Sequence, residues 1–327
     1  MPFNLNNNML IAMHKTRHIE FSSSSYLYLQ LIQLIMSFLC SMLCSCIESE
    51  FEFIQRVIKE ISSTKSNHIP LFVAKHPVGI DIRVEAIELL LDMESNDVCM
   101  VGIYGLGGIG KTTISKAVYN KIAQSFEGSC FLENVRERSK ENCGIIQLQK
   151  TLLYKILRDR DLVVHNVFEG INLIKERLHS KKVLLILDDV SDSKEVENLL
   201  GECNWFASGS RVIVTTRDKH VLTSLGGDHR IYKVKKLSQC EALKLFNQHA
   251  FQTSKHGEDY SKLAKQIISY ANGLPLALKI IGSELCGKNI HEWKNALEKY
   301  KNIPHKDIQE IPKISYDALL ERLSKQV

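Results

Sequence analysis

The segment 105–113 combines the residue types that bind the phosphate groups of a nucleotide. It reads Gly-Leu-Gly-Gly-Ile-Gly-Lys-Thr-Thr and satisfies the spacing Gly-x4-Gly-Lys-Thr. Glycines permit positive φ angles, so main-chain N–H groups can turn inward around phosphate oxygens, and the following helix adds the positive end of its dipole. In this pattern the lysine reaches the β- and γ-phosphates, and the first threonine hydroxyl is a ligand of Mg²⁺. The predicted nucleotide-binding residues of the loop are Gly105, Gly107, Gly108, Gly110, Lys111, Thr112 and Thr113, and Thr112 is also a predicted metal ligand.

Two carboxylates, Asp188 and Asp189, follow the apolar run Val183 to Leu187. The carboxyl ends of parallel strands meet at the ligand crevice of a sheet, so a carboxylate there can hold Mg²⁺ directly or through water. We assign this metal role to Asp188. Asp189 could be the catalytic residue that orients or deprotonates an attacking water. The two acids could instead cap the next helix, and the sequence leaves both interpretations open.

A further polar group, Arg217, comes shortly after a third predicted strand, Arg211 to Thr215. A planar guanidinium matches the geometry of a phosphate better than an ammonium does, so we expect Arg217 to reach the terminal phosphate of a nucleotide. The alternative is an ion pair between Arg217 and the neighbouring acids.

Apolar runs and helical periods alternate through the middle of the chain, and these elements would position the polar residues. Strands are predicted at Val98–Tyr104, Cys130–Leu132, Val183–Leu187, Arg211–Thr215 and Ile231–Val234, and helices at Gln147–Asp159, Phe168–Leu178 and Ser193–Leu200. Beyond Leu237 only helical periods remain. The sequence therefore predicts an α/β fold in which a doubly wound parallel sheet of the P-loop type is followed by a small helical bundle.

Composition narrows the class of protein. A chain of 327 residues has room for about two domains. Its 42 basic and 37 acidic side chains nearly balance, so the charge does not imply a nucleic-acid partner. Nine cysteines, an odd number, are typical of reduced thiols in a cytoplasmic protein.

The first 47 residues differ from the rest of the chain. They carry only three formal charges, and Tyr26 to Ile47 is a stretch of 22 residues without a charge. That stretch is long enough to cross a membrane, but its glutamines and serines dilute its apolar content. The alternatives are a membrane anchor through 26–47, a signal, or a poorly structured or mis-annotated leader. An amphipathic helix is predicted from Ser49 to Ile61, followed by a linker.

Taken in order, these segments resemble the NB-ARC module of plant intracellular disease resistance proteins, specifically the type with an N-terminal TIR domain and C-terminal leucine-rich repeats. The resemblance covers residues 48–327. The matching segments are 77–85, 105–113, 126–136, 187–190, 209–217 and 273–278.

The resemblance implies a signalling switch that binds ADP in a closed resting state and exchanges it for ATP, with Mg²⁺, to permit oligomerisation and defence signalling. It implies self-association or contact with other immune-receptor proteins. The implied domains are a leader at 1–47, a helix and linker at 48–75, a nucleotide-binding domain at 76–236, a helical ARC subdomain at 237–310 and the start of a winged-helix subdomain at 311–327.

The resemblance also implies roles for individual residues. Val78 and Gly79 would line the adenine site through main-chain contacts, Pro275 would close over the base, and Arg217 would sense the γ-phosphate. Taken without the resemblance, Pro275 is only a proline at a helix start, where its missing N–H costs nothing.

The sequence also departs from the family pattern. No TIR domain is recognisable before Glu48, so no NAD-cleaving activity is expected. The later His-Asp motif of the winged-helix subdomain and the repeats are not found, so the chain is expected to be truncated at both ends and at most a slow ATPase. The alternative functions are a P-loop ATPase that acts on an unrelated substrate and a non-functional remnant.

Overall fold

The computed structural model describes residues 70–159, 162–202, 205–225, 230–251 and 257–301. The chain divides into two units, Met1–Lys65 and Ser66–Val327, and every described residue belongs to the second. The predictions for the leader, for its uncharged stretch 26–47, for the helix at 49–61 and for the segment 311–327 lie outside the described residues. Within the described ranges, no helix is long and apolar enough to cross a membrane.

Five parallel strands form one sheet, which confirms the fold class predicted from the sequence. Their order across the sheet is β2-β3-β4-β1-β5, and each neighbouring pair is parallel. The strands are β1 (Cys99–Tyr104), β2 (Gly128–Leu132), β3 (Val183–Val190), β4 (Arg211–Thr216) and β5 (Arg230–Lys233).

Helices connect consecutive strands, as expected for parallel strands joined by crossovers. Further helices follow the last strand. Numbered along the described chain, those that precede or connect the strands are α1 (Ile80–Leu91), α2 (Lys111–Ile122), α3 (Val135–Arg138), α4 (Gly144–Leu157), α5 (Val167–Leu178), α6 (Ser193–Leu200) and α7 (Lys219–Ser224). After β5 come α8 (Gln239–Ala250), α9 (Glu258–Ala271), α10 (Pro275–Leu285) and α11 (Ile290–Lys301).

The sheet is buried on both faces because its side chains alternate between two apolar layers. Val101 and Ile103 of β1 face the layer that contains α1 and α2, whereas Met100 faces the opposite layer. The α1–α2 layer is continuous with the core of the helices that follow β5. The sheet and the helical bundle therefore share one hydrophobic core, which places the bundle beside the carboxyl end of β1.

Aromatic packing holds the bundle together. The indole of Trp293 stacks on Phe251 with ring centroids 5.3 Å apart and meets Phe246 and Tyr260 edge to face. Its Nε1–H donates to the Leu285 carbonyl at 3.0 Å, so the buried indole has its polar atom satisfied.

Strand β3 extends three residues beyond the predicted end at Leu187, and this last part pairs irregularly with β4. The pairing of β3 with β4 shifts between Leu187 and Val190, and Asp189 adopts a positive φ of 58°. The Asp189 N–H donates to the Thr215 hydroxyl at 2.9 Å. A bulge of this kind redirects a side chain at the end of a strand. Asp188 and Asp189 are thus residues of β3 itself and do not follow it.

Candidate nucleotide-binding site

A cavity of about 450 Å³ lies where the sheet, the segment before α1 and the helical bundle meet. We call residues 72–79 the strap; most of them line one wall of the cavity. The opposite walls are formed by the loop 105–110 with the start of α2 and by residues of α8 and α10. Most of the predicted site residues therefore lie around one cavity. The lining includes Val78, Gly107, Gly108, Gly110, Lys111, Thr112, Thr113, Asp189, Arg217 and Pro275.

The loop 105–110 leads into α2 through residues that only glycine accommodates easily. Gly108 has φ 74° and Gly110 has φ 101°. Gly110 is the N-cap of α2 and supplies no side-chain cap to the helix. The N–H groups of the first turn of α2 therefore receive no side-chain cap from Gly110, and a helix start of this kind can bind an anion.

Lys111, the first residue of α2, folds back over the loop. Its Nζ donates to the carbonyls of Gly105 at 2.9 Å and Leu106 at 3.2 Å. Burial lowers the pKa of Lys111, and the nearby Asp189 carboxylate opposes this effect. The Lys111 ammonium group thus lies in the cavity wall, held by two carbonyl oxygens of the loop that precedes α2.

Hydrogen bonds connect the side-chain oxygens of Thr112, Asp188 and Thr215, of which Asp188 and Thr215 are buried and Thr112 is half-buried. The hydroxyls of Thr112 and Thr215 donate to the Asp188 carboxylate at 2.9 Å and 2.7 Å. Burial raises the pKa of Asp188, and the two hydroxyl donors oppose this rise. The two residues predicted to bind Mg²⁺, Thr112 and Asp188, are therefore in direct contact. A carboxylate with a hydroxyl is an oxygen donor set of the kind that this hard cation prefers.

Asp189 lies between two arginines. Arg217 Nε is 3.2 Å from Asp189 Oδ1, and Arg136 Nη2 is 2.8 Å from Asp189 Oδ2. Of the two roles that the sequence left open for Arg217, the structure shows the ion pair with a neighbouring acid. The helix-capping alternative for Asp188 and Asp189 is wrong, because Asp192 caps α6 by accepting the Lys194 N–H at 3.0 Å.

Val78 of the strap and Pro275 at the start of α10 both line the cavity, whereas Gly79 does not belong to its lining. Val78 is buried, and Gly79 adopts φ 66° immediately before α1. Pro275 is the first residue of α10. The next residue, Leu276, donates its N–H to the Gly108 carbonyl at 3.2 Å, which joins the bundle directly to the loop.

The structure also places at the site several residues for which the sequence predicted no role. They are Arg83 and Glu241 beside the strap, Arg136 beside Asp189, Thr215 beside Asp188 and Leu276 on the loop. Arg83 and Arg136 do fall within segments that match the family pattern. Their partners could not be found from spacing, because those partners lie far away in the chain.

Together, a parallel sheet, a glycine-rich loop between β1 and α2, and acids at the end of β3, which β4 separates from β1, define a nucleotide-binding protein of the P-loop class. The NB-ARC domain model matches residues 81–256, more than half of the chain. The chain belongs to the NB-ARC family, which confirms the resemblance identified from the sequence.

Individual relatives agree with this assignment. The chain is 43% identical over 274 residues to disease resistance protein RPV1 of Vitis rotundifolia, covering 83% of this chain and 19% of that protein. It is 40% identical over 280 residues to TMV resistance protein N of Nicotiana glutinosa, covering 83% of this chain and 24% of that protein. The chain thus spans about a fifth of the length of these relatives.

A solved STAND-class signal transduction ATPase of Pyrococcus horikoshii is 19% identical, with a TM-score of 0.42 over 70% of this chain and 33% of that chain.

Proposed function

We propose that this chain is the ADP/ATP-binding switch module of an intracellular plant immune receptor that acts in disease resistance. The NB-ARC family and the curated relatives, which are disease resistance proteins, support the receptor class. Self-association or contact with other receptor proteins would follow nucleotide exchange.

The main support for this proposal is the hydrogen bond beside the cavity that joins the loop to the helical bundle. Leu276 of α10 donates to Gly108 of the loop, and Pro275 lines the same cavity as Lys111. A nucleotide in the cavity would touch both parts. A ligand shifts an equilibrium between two arrangements only when it binds them with different affinity, and a ligand held by both parts meets that condition.

Within this proposal, the residues around the cavity have separate roles. Lys111 and the N–H groups of residues 107–113 bind the phosphates, the strap at Val78 and Gly79 lies against the adenine, and Pro275 covers the base. Arg217 approaches the terminal phosphate. Thr112 and Asp188 hold Mg²⁺, which would neutralise phosphate charge.

The surroundings of Asp189 favour slow turnover. Both of its carboxylate oxygens lie near guanidinium groups, one from Arg217 and one from Arg136. A carboxylate engaged in this way is poorly placed to take a proton from water. We therefore expect at most a slow ATPase, with Asp189 as the residue that would act on the water.

The cysteines support a cytoplasmic location for this module. Those in the described residues, Cys99, Cys130, Cys143, Cys240 and Cys286, are all free thiols. Free thiols persist in reducing compartments.

The test is to purify the folded protein, denature it and measure the nucleotide released. Tightly held ADP supports the switch, and Lys111→Ala is expected to abolish its retention. The matched control is Lys121→Ala on the same helix, where the lysine pairs with Glu88 away from the cavity. Rapid steady ATP turnover would instead favour the unrelated enzyme, and an empty site in folded protein would favour the remnant.

A further inference from the structure

Three charged residues form a row across three neighbouring strand ends. Arg136 lies on α3 just after β2, Asp189 lies near the end of β3, and Arg217 follows β4 directly. These strands are adjacent in the order β2-β3-β4. The row therefore reads Arg136, Asp189, Arg217, with the carboxylate between two guanidinium groups.

The two arginines are not equivalent. The Arg217 side chain is 52% exposed and lines the cavity, whereas the Arg136 side chain is 25% exposed and does not belong to the cavity lining. Arg217 lies 3.2 Å or more from the carboxylate oxygens, and Arg136 approaches to 2.8 Å. Arg136 is thus the inner and closer partner, and Arg217 is the one that a ligand in the cavity can reach.

The central carboxylate is fixed in place. The Asp189 N–H donates to Thr215, and the residue keeps a positive φ of 58°. Helix α3 is anchored by the fully buried Val135 and by Ser139, whose hydroxyl donates to Glu195 of α6 at 2.8 Å. If Arg217 turns towards a ligand, these contacts keep the main chain of Asp189 and the helix that carries Arg136 in place.

This arrangement determines what happens to the Asp189 charge when Arg217 leaves. The Asp189 side chain is only 16% exposed, and a poorly hydrated carboxylate without a partner is costly. While Arg136 remains, the charge stays compensated. Among the described residues, Arg136 and Arg217 are the guanidinium partners of Asp189, so without Arg136 the movement of Arg217 to a ligand would leave the carboxylate without an ion-pair partner within 4 Å.

We propose that Arg136 is a positioning residue that allows Arg217 to distinguish a nucleoside triphosphate from a diphosphate. By neutralising Asp189, Arg136 releases Arg217 to pair with the additional terminal phosphate. The inference rests on the proposed function, because it requires that nucleotide phosphates occupy the cavity. A diphosphate does not need Arg217, so its affinity is independent of Arg136.

The test compares the Kd values of ADP and of a non-hydrolysable ATP analogue, both with Mg²⁺, for the wild type and for Arg136→Gln. The expected result is an analogue affinity lowered on the order of tenfold, about 1.4 kcal/mol, with ADP affinity unchanged. The matched control is Arg138→Gln on the same helix, since Arg138 forms no ion pair among the described residues. Thermal unfolding verifies that each variant is folded.

A double-mutant cycle separates positioning from a merely structural role. In an Asp189→Asn background no charge needs compensation, so Arg136→Gln should no longer change the affinity ratio of the two nucleotides. Equal losses for ADP and the analogue, or an undiminished effect of Arg136→Gln in that background, would overturn the proposal. Failure of the wild type to bind either nucleotide would refute the proposed function itself, which is a different result.

Discussion

The guanidinium of Arg83 lies 2.7 Å from the carboxylate of Glu241, and this ion pair joins α1 to the first turn of α8. Arg83 also donates to the carbonyl of Gly79 in the strap, and Glu241 accepts the Ser238 N–H at 2.8 Å. Gly79 has no side chain at a point where one would overlap the Glu241 carboxylate. The pair therefore connects the strap, the helix after it and the bundle beside the cavity.

Replacing Arg83 by alanine should destabilise the fold. The side chains of Arg83 and Glu241 are only 11% and 22% exposed, so the pair is better shielded than an ordinary surface ion pair. We expect Arg83→Ala to lower the free energy of unfolding by about 2 kcal/mol, measured by urea denaturation. Lys121→Ala, which breaks the more exposed pair with Glu88, should cost clearly less than Arg83→Ala. Equal losses in the two variants would contradict this reasoning.

The same pair predicts a pH dependence. Hydrogen bonds from Arg83 lower the pKa of Glu241 from 4.5 to about 2. A carboxyl group with a lowered pKa in the folded state contributes stability that is present above the unfolded pKa and is lost as pH falls through the folded pKa. The stability difference between the wild type and Glu241→Gln should therefore shrink between pH 4.5 and about 2. Unfolding free energies measured across that range test this, and a constant difference would count against it.

Gly108→Ala should weaken nucleotide binding by separating the loop from α10. Gly108 has φ 74°, and an added Cβ would lie 2.8 Å from the Leu276 Cβ. We expect nucleotide affinity to fall on the order of tenfold, measured by calorimetry. Gly287→Ala is the matched control, because Gly287 has nearly the same φ of 75° but no atom within 4 Å of an added Cβ. The control should lose only about 1–2 kcal/mol of stability, with affinity unchanged. Similar affinities in both variants would show that the contact has no role in binding.

Asp188→Asn should abolish the effect of Mg²⁺ on nucleotide affinity. The Asp188 carboxylate accepts the Thr112 hydroxyl and is buried next to the loop. An amide lacks the negative charge with which a carboxylate attracts a divalent cation. Titrations of the wild type with and without chelator should differ, and those of Asp188→Asn should coincide. Asp218→Asn serves as the control, since Asp218 caps α7 through the His220 N–H. A magnesium effect that survives in Asp188→Asn would exclude this carboxylate as the metal ligand.

The sheet and the loop 105–113 could be predicted from the sequence because each strand and the loop is encoded by a continuous stretch of residues. Largely apolar runs marked the central strands β1 and β3 to within a few residues, because a strand buried on both faces is mostly apolar. The loop 105–113 was readable because all its functional groups are neighbours in the chain. The ends of β3 and β4 could be placed together in advance, since parallel strands direct their carboxyl ends to one edge.

Tertiary structure alone decided which partners those groups have. Arg83 and Glu241 are 158 residues apart, and no local pattern links them. Asp189 pairs with Arg217 from an irregular strand end where its φ is positive and its N–H donates to the Thr215 hydroxyl of the neighbouring strand, and none of these features follows from a local pattern. Residue types and short spacings are encoded locally, whereas the choice of partner for a charge depends on which distant segments the common core brings within hydrogen-bonding distance.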